Sequence, residues 1–327
     1  MNATTILVGL ASGAASAALS TALGSGSMLS VFLFLFAPLP IFIAALGWRH
    51  HAGFIGVVVG TVLAYAFMGF DTARGFLLSV GLPGWWLAYL ALLGQPADPA
   101  QPEKGLAWYP VGRLVVWAAV IGAALVLLTV VMHGGSVDAY RASLRTTFET
   151  FLRAETGTTP GSTATLPGGG DISRITEIAV LALPPLAAAV WTAIALINLW
   201  VAGRVVRASG RLARPWPDLS TFTLPAPALI AFVGGVAAAA LPGLFGFAAG
   251  VVGAAFAIAF TALGLALLHA GTRGRPGRTL MLSTTYFLMA VQTWLVLVIA
   301  LLGVLEFLFG FRARIAAARP PPPKPVK

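Results

Sequence analysis

Uncharged apolar runs, each about 20 residues long, recur from one end of the chain to the other. About nine segments meet that length criterion: 5–23, 28–47, 53–70, 75–94, 112–132, 178–202, 225–241, 245–270 and 280–309. Hydrocarbon offers a backbone no water to bond, so each run must satisfy its N–H and C=O groups internally, as a helix does. Composition agrees. Of 327 residues, 9% are charged and 58% are hydrophobic, against roughly 25% and 45–50% in a soluble domain. A water-soluble fold of this size cannot hide so much apolar surface, and disorder requires low hydrophobicity. The expected fold class is therefore all-α, a polytopic transmembrane helix bundle of about 8–9 spans.

Two segments are weak. The fourth holds Gly81-Leu82-Pro83-Gly84, which interrupts a helix ladder and suggests a broken or re-entrant helix. The seventh is short and begins in a Pro-rich stretch. The ninth is long enough to tilt. Ala15-Ser16-Ala17 resembles a signal-peptide cleavage site, but no Lys or Arg precedes the apolar run, so the first segment reads as a retained span.

Charge sorts the connections. Arg49 follows the second segment, Arg204, Arg207, Arg211 and Arg214 follow the sixth, and Arg273, Arg275 and Arg278 follow the eighth. With nine spans these share one side, the cytoplasmic one by the excess of basic residues, and the N-terminus joins them. Asp71, Asp138, Glu149, Glu155, Asp171 and Glu177 fall opposite. The tail conflicts with that scheme, because Arg312, Arg314, Arg319, Lys324 and Lys327 then lie on the acidic side. A segment that fails to cross, a last stretch that bends back, or an exported tail would each reconcile it. The expected localisation is a bacterial inner membrane, multi-pass.

The organisation expected is one transmembrane domain over 1–311 and a disordered, basic, Pro-rich tail over 312–327. Within the domain, 133–177 is an extramembrane loop. There Val137, Tyr140, Leu144, Phe148 and Phe151 recur at helical spacing. Arg145, Glu149 and Arg153 stand four apart on another face, where opposite charges support a helix. This predicts an amphipathic surface helix. A Gly-, Thr- and Pro-rich linker follows over 156–170, with Asp171 as a candidate N-cap. Gly24-Ser25-Gly26-Ser27 reads as a turn between the first two spans.

Chemistry-bearing patterns are few. With no cysteine there is no disulfide, thiolate metal site or cysteine nucleophile. The histidines His50, His51, His133 and His269 form no H-x-x-x-H pair, so neither a metal nor a cofactor is expected. No Gly-x-Ser-x-Gly elbow or Walker-type loop occurs, and the span centres carry no Asp, Glu, Lys or Arg. An enzyme is disfavoured. What remains inside is neutral and polar. Asn198 shares a helical face with Trp191, Ala195 and Ala202; Gln292 shares one with Thr285 and Met289; Tyr65 and Thr261 can join either network. Amides in hydrocarbon need partners, so Asn198, Gln292, Trp191, Thr285 and Tyr65 are the candidate substrate-binding residues, with interhelical hydrogen bonding as the structural alternative. Glu306 and Arg204 lie near span ends, where long side chains reach the interface.

The chain has 37 glycines, many at four-residue spacing. Gly9 and Gly13, with Ser12, Ser16 and Ser20, form a small face on the first span; Gly56 and Gly60, and Gly246 and Gly250, repeat it later. Such faces let helices approach closely, either within the bundle or against another membrane subunit. Trp85, Trp86, Trp108, Tyr109 and Trp216 are candidates for interfacial belts.

Ala195-Leu196-Ile197-Asn198-Leu199-Trp200, then Gly203-Arg204, a basic loop, Pro217 and Phe222-Thr223-Leu224-Pro225 resemble the YybS-like family of bacterial multi-pass membrane proteins. The likeness extends over most of the chain and is sharpest over 183–225. It implies a membrane fold and brings no activity with it. The family is similar in hydropathy to the substrate-binding S components of energy-coupling-factor vitamin transporters, which dock a partner through a small-xxx-small first helix. The spacing of Ala11 and Ala15, and of Ala14 and Ala18, matches that pattern.

The function expected is a non-enzymatic transport or small-molecule-binding component. The alternatives are a structural or assembly protein of the cell envelope and, third, a lipid-modifying membrane enzyme. The expected partners are the bilayer, anionic headgroups at the Arg-rich loops and another membrane subunit; no feature points to nucleic acid.

Overall fold

The computed structural model describes residues 2–22, 28–98, 100–101, 105–156 and 172–317. The turn at 24–27, the linker over 157–170, Asp171 and the tail from 318 onward lie outside the described residues.

The described chain is almost wholly helical. In order come α1 (Ala3–Thr21), α2 (Met28–Leu35), α3 (Leu39–Trp48), α4 (His50–Met68), α5 (Phe70–Phe76), a π-helical turn (Leu77–Gly81) and α6 (Leu82–Ala91). A short antiparallel ladder, β1 (Gly94–Pro96) on β2 (Leu106–Trp108), pairs Gly94 with Trp108. Then follow α7 (Val111–Met132), α8 (Val137–Thr156), α9 (Ile172–Ala208), α10 (Pro227–Ala238), α11 (Gly243–Thr272), α12 (Arg278–Val291), α13 (Leu295–Phe309) and α14 (Phe311–Ala317).

Six helices among the described residues are long and apolar enough to cross a membrane: Ala3–Thr21, Leu29–Trp48, His50–Met68, Val111–Met132, Ser173–Ala208 and Gly243–Thr272. α13 and α14, bent by 66°, make a seventh if counted as one span. The polytopic all-α bundle is as expected; among the described residues six to seven spans pass the criterion of length and apolarity, and the remaining apolar segments depart from one straight rod for local reasons. In the fourth segment Pro83 has no N–H to donate, and the chain absorbs the loss in the π turn, where the Leu82 amide bonds the Leu77 carbonyl. In the seventh segment α10 holds 12 residues, a rise of about 18 Å, well short of a hydrocarbon core of about 30 Å. The ninth breaks after Val291 instead of tilting as one rod.

Two compact units are distinguishable, one comprising Met1–Ala118, Ala193–Ala226 and Ala257–Lys327, the other Ala119–Thr192 and Pro227–Phe256. In the first, α1 lies against α4. Gly9 and Gly13 are buried there. A Cβ on Gly13 would sit 2.5 Å from the Gly56 carbonyl oxygen, and one on Gly9 would sit 2.7 Å from Ile55 Cβ. The small face of the first span is thus consumed inside the bundle, where backbones meet without side-chain bulk. Arg49, with φ of 69°, is the one described non-glycine residue at positive φ, and it turns α3 tightly into α4. α13 packs on α11 in the same manner. Cβ atoms on Gly264 and Gly303 would overlap the carbonyl oxygens of Ile299 and Phe260, and Thr261 donates to the Val296 carbonyl at 3.1 Å.

In the second unit Gly235 of α10 faces Gly253 of α11. The surface helix α8 forms as expected. Its apolar stripe is buried at Val137 and Tyr140 and open at Phe151, which is 57% exposed. Tyr140 rests edge-on against Phe247, with centroids 5.9 Å apart. Arg145 pairs with Glu177 at 3.9 Å.

α14 carries the chain to Ala317, and Arg312 is buried within the first unit. Its guanidinium donates to the carbonyls of Ser220 at 2.7 Å and Phe222 at 2.8 Å. Arg273, just past α11, donates to the Ser220 hydroxyl at 3.0 Å. Side chains that meet on one residue cannot start from opposite faces of a hydrocarbon layer about 30 Å thick. The chain from 273 to 312 therefore leaves and returns on one side. α12 and α13, of 14 and 15 residues, rise about 21 and 22 Å and form a hairpin turning at Gln292-Thr293-Trp294.

Candidate functional site

The second span is discontinuous near its middle. Pro38 and Pro40 lack the N–H groups that would bond residues four earlier. The chain answers with tight turns: Ala37 N donates to Phe34 O at 3.0 Å and Leu39 N to Phe36 O at 3.0 Å. Because Leu39 bonds Phe36, the Leu35 carbonyl loses its helical donor. Buried backbone acceptors are seldom left unpaired, and two side chains from other spans supply what is missing. Asn198 of α9 donates from Nδ2 to the Leu35 carbonyl at 2.8 Å, and Ser16 of α1 donates to the Ala37 carbonyl.

Asn198 is positioned by its own helix. Its face, with Ala195 and Ala202, is buried, because small neighbours let α9 approach the break closely. A second Nδ2 bond runs to the Ile194 carbonyl at 2.9 Å. Both Nδ2 partners are acceptors, which fixes the orientation of the amide. Oδ1 then faces away from them, fully buried and without a hydrogen-bond partner among the described residues. An unmet acceptor at such a depth costs about 1–3 kcal/mol. The break therefore presents one amide oxygen able to take a hydrogen bond from a hydroxyl or amine, or to face a cation.

The other residues expected to bind substrate sit elsewhere. Gln292 caps α12 at the turn of the hairpin, where Trp294 Nε1 donates to its Oε1 at 3.3 Å. Thr285 spends its hydroxyl on the Met281 carbonyl at 2.8 Å. Tyr65 is 60% exposed on α4. Trp191 belongs to the second unit. Ala11, Ala14, Ala15 and Ala18 are exposed on the face of α1 away from Gly9 and Gly13. Among the described residues no group of three or more His, Asp or Glu stands close enough to hold a metal. Sequence reasoning passed over Leu35, Ala37 and the pairing role of Ser16. The available signal was Pro38 and Pro40 inside an otherwise unbroken apolar run.

A second polar cluster ties the ends of spans together. Glu306 accepts from Arg312 Nε at 2.7 Å and from the Arg312 backbone N–H at 3.1 Å. Asp218, in the loop after α9, accepts from the Ser220 hydroxyl at 2.7 Å and from Arg273 at 3.2 Å. Those donors, Ser220 foremost and then Arg273, hold the Asp218 carboxyl down at about 2. In the same loop Arg214 donates to the Ala91 carbonyl at 3.2 Å, and burial lowers its pKa.

The model of a family described as a predicted membrane protein (DUF2232) matches residues 14–307. The chain belongs to this family. The match takes in the second-span break, Asn198, the loop after α9 and most of the hairpin, and it includes the 183–225 stretch on which the sequence resemblance was sharpest. No curated protein and no solved structure matches the chain.

Proposed function

We propose that this DUF2232 protein is a non-enzymatic transport or small-molecule-binding component whose recognition point is the break in the second span. The observation that carries the reading is the buried, unpartnered Oδ1 of Asn198 beside a discontinuous helix. Discontinuous spans place backbone polar groups at mid-membrane depth, where substrates and coupling ions bind in many transporters. The solute would be a neutral or cationic hydrogen-bond donor, because the groups at the break are an amide oxygen and carbonyls. An amide, a serine hydroxyl already bonded to a carbonyl, and backbone oxygens supply recognition but no paired acid and base, which supports binding over catalysis.

The likeness to the YybS-like family and to S components adds a partner to the proposal. With Gly9 and Gly13 consumed against α4, the exposed face of Ala11, Ala14, Ala15 and Ala18 is the part of α1 left for an energising subunit. The inner membrane, with the Arg-rich side cytoplasmic, is the proposed setting.

Native mass spectrometry of the full-length protein in mild detergent tests the reading. Wild-type protein should carry a small solute that Asn198→Ala loses while remaining inserted and folded. If Asn198→Ala lowers the melting temperature and no solute is lost, the amide is a structural tie, and the envelope-assembly reading takes its place.

A further inference from the structure

The Arg-rich end of α9 is more than a run of positive charge. The loop after α9 folds back so that Trp216 lies on Gly203, where a Cβ would stand 3.0 Å from the indole. A side chain at 203 would push the ring back by a few tenths of an ångström, so glycine lets it seat closely. The guanidinium groups of Arg204 and Arg207 then lie 5.8 and 5.5 Å from the centre of that ring. Arg211 lies 4.7 Å above Trp48, at the end of α3. A guanidinium drawn over an aromatic ring by its charge makes no hydrogen bond to the ring carbons and keeps N–H donors for another partner. None of the three arginines has a carboxylate partner among the described residues. The acid nearest in the loop, Asp218, is occupied by Ser220 and Arg273.

We propose that Arg204, Arg207 and Arg211, braced by Trp216 and Trp48, seat the phosphate of an anionic phospholipid headgroup. Two features select a lipid as the source of the phosphate. The arginines stand at the end of a spanning helix, at headgroup depth, and tryptophan side chains favour that depth over bulk water. All three arginines are exposed. Arginine forks match phosphate oxygens in pairs, and each basic side chain close to an anionic surface adds a roughly constant increment of affinity.

The test uses the full-length protein, delipidated in mild detergent and titrated with phosphatidylglycerol or phosphatidylcholine, with bound lipid counted by native mass spectrometry. Phosphatidylglycerol should bind more tightly, and Arg204→Gln/Arg207→Gln should weaken it by about fivefold per arginine removed. Trp216→Leu, which keeps every charge, should also lose selectivity because the guanidinium groups are no longer braced. Arg145→Gln on α8 should leave binding unchanged. Melting curves in the same detergent confirm folding; if the double variant does not fold, Trp216→Leu and the wild-type competition decide. Equal binding of the two lipids, or unchanged selectivity in Trp216→Leu, overturns the proposal. Displacement of phosphatidylglycerol by equimolar inorganic phosphate overturns the lipid assignment and leaves a free-phosphate site.

Discussion

Arg312 Nε lies 2.7 Å from Glu306 Oε1 across the bend between α13 and α14, and the same guanidinium closes onto the carbonyls of Ser220 and Phe222. Glu306 and Arg312 are 5% and 11% exposed at their side chains. The carboxylate, guanidinium and two carbonyls satisfy one another in a place that water scarcely reaches. The bend is fixed by this tie, and with it the return of the hairpin to the side it left. Gly310, at φ of 61°, supplies the left-handed turn the bend requires.

Removing one member of a buried ion pair leaves the other uncompensated and costs about 3–5 kcal/mol. Arg312→Gln and Glu306→Gln are each expected to lower the melting temperature of the detergent-solubilised protein sharply. The double variant should lose less than the sum of the two, since neither charge is then stranded. A fully additive double-mutant cycle would mean the pair contributes nothing as a unit.

The hairpin predicts sidedness. The chain has no cysteine, so single cysteines report cleanly. Arg275→Cys and Ala316→Cys in membrane vesicles should react with an impermeant maleimide from the same face. Labelling from opposite faces would show that the stretch crosses and that the hairpin is not the membrane-inserted form.

Asp218 gives a pH signature. Its carboxyl sits at about 2 against an ordinary 3.8, held first by the Ser220 hydroxyl and then by Arg273. The folded value is the lower one, so the tie contributes fully above about pH 3.8 and is lost as pH falls toward 2. The group is 46% exposed, and solvent screening keeps the effect modest. Thermal melts across that window should decline for wild type. Asp218→Asn should start lower at neutral pH and show a shallower decline.

Gly13 separates packing from docking. A side chain there meets the Gly56 carbonyl oxygen and the Gly60 amide of α4, and overpacking of this kind costs about 1–3 kcal/mol or more. Gly13→Leu is expected to destabilise the isolated protein. Ala15→Leu, on the exposed face, should leave the melting temperature unchanged and release a co-purifying membrane subunit. If Ala15→Leu also destabilises the isolated protein, that face is not free for a partner.

Much of the fold was legible because lipid imposes a one-dimensional rule. A run of apolar residues announces a helix, and Pro83 announced an irregularity in the fourth run, which the chain takes up as a π turn over Leu77–Gly81 while the helix continues. The ninth run hid its break because Gln292-Thr293-Trp294 contains neither proline nor glycine. Its turn is fixed from outside, by Arg273 and Arg312 meeting at Ser220. The face of Asn198 was visible as a polar amide among small residues. The groups it serves were not, because the need for them arises from Pro38 and Pro40 in another span.

Composition and periodicity alone determined the solvent of this protein, the helical state of its backbone and the small faces on which its helices meet. Those properties depend on residues within a turn or a span of one another. Tertiary structure alone decided where the polar atoms go. Asn198 finds Leu35 across 163 residues, and Arg312 finds Ser220 across 92. In a low-dielectric interior an unpaired donor or acceptor is expensive, so these few long-range bonds decide how the groups freed by a proline break are satisfied, where the last stretch is held, and which acceptor is left without a partner.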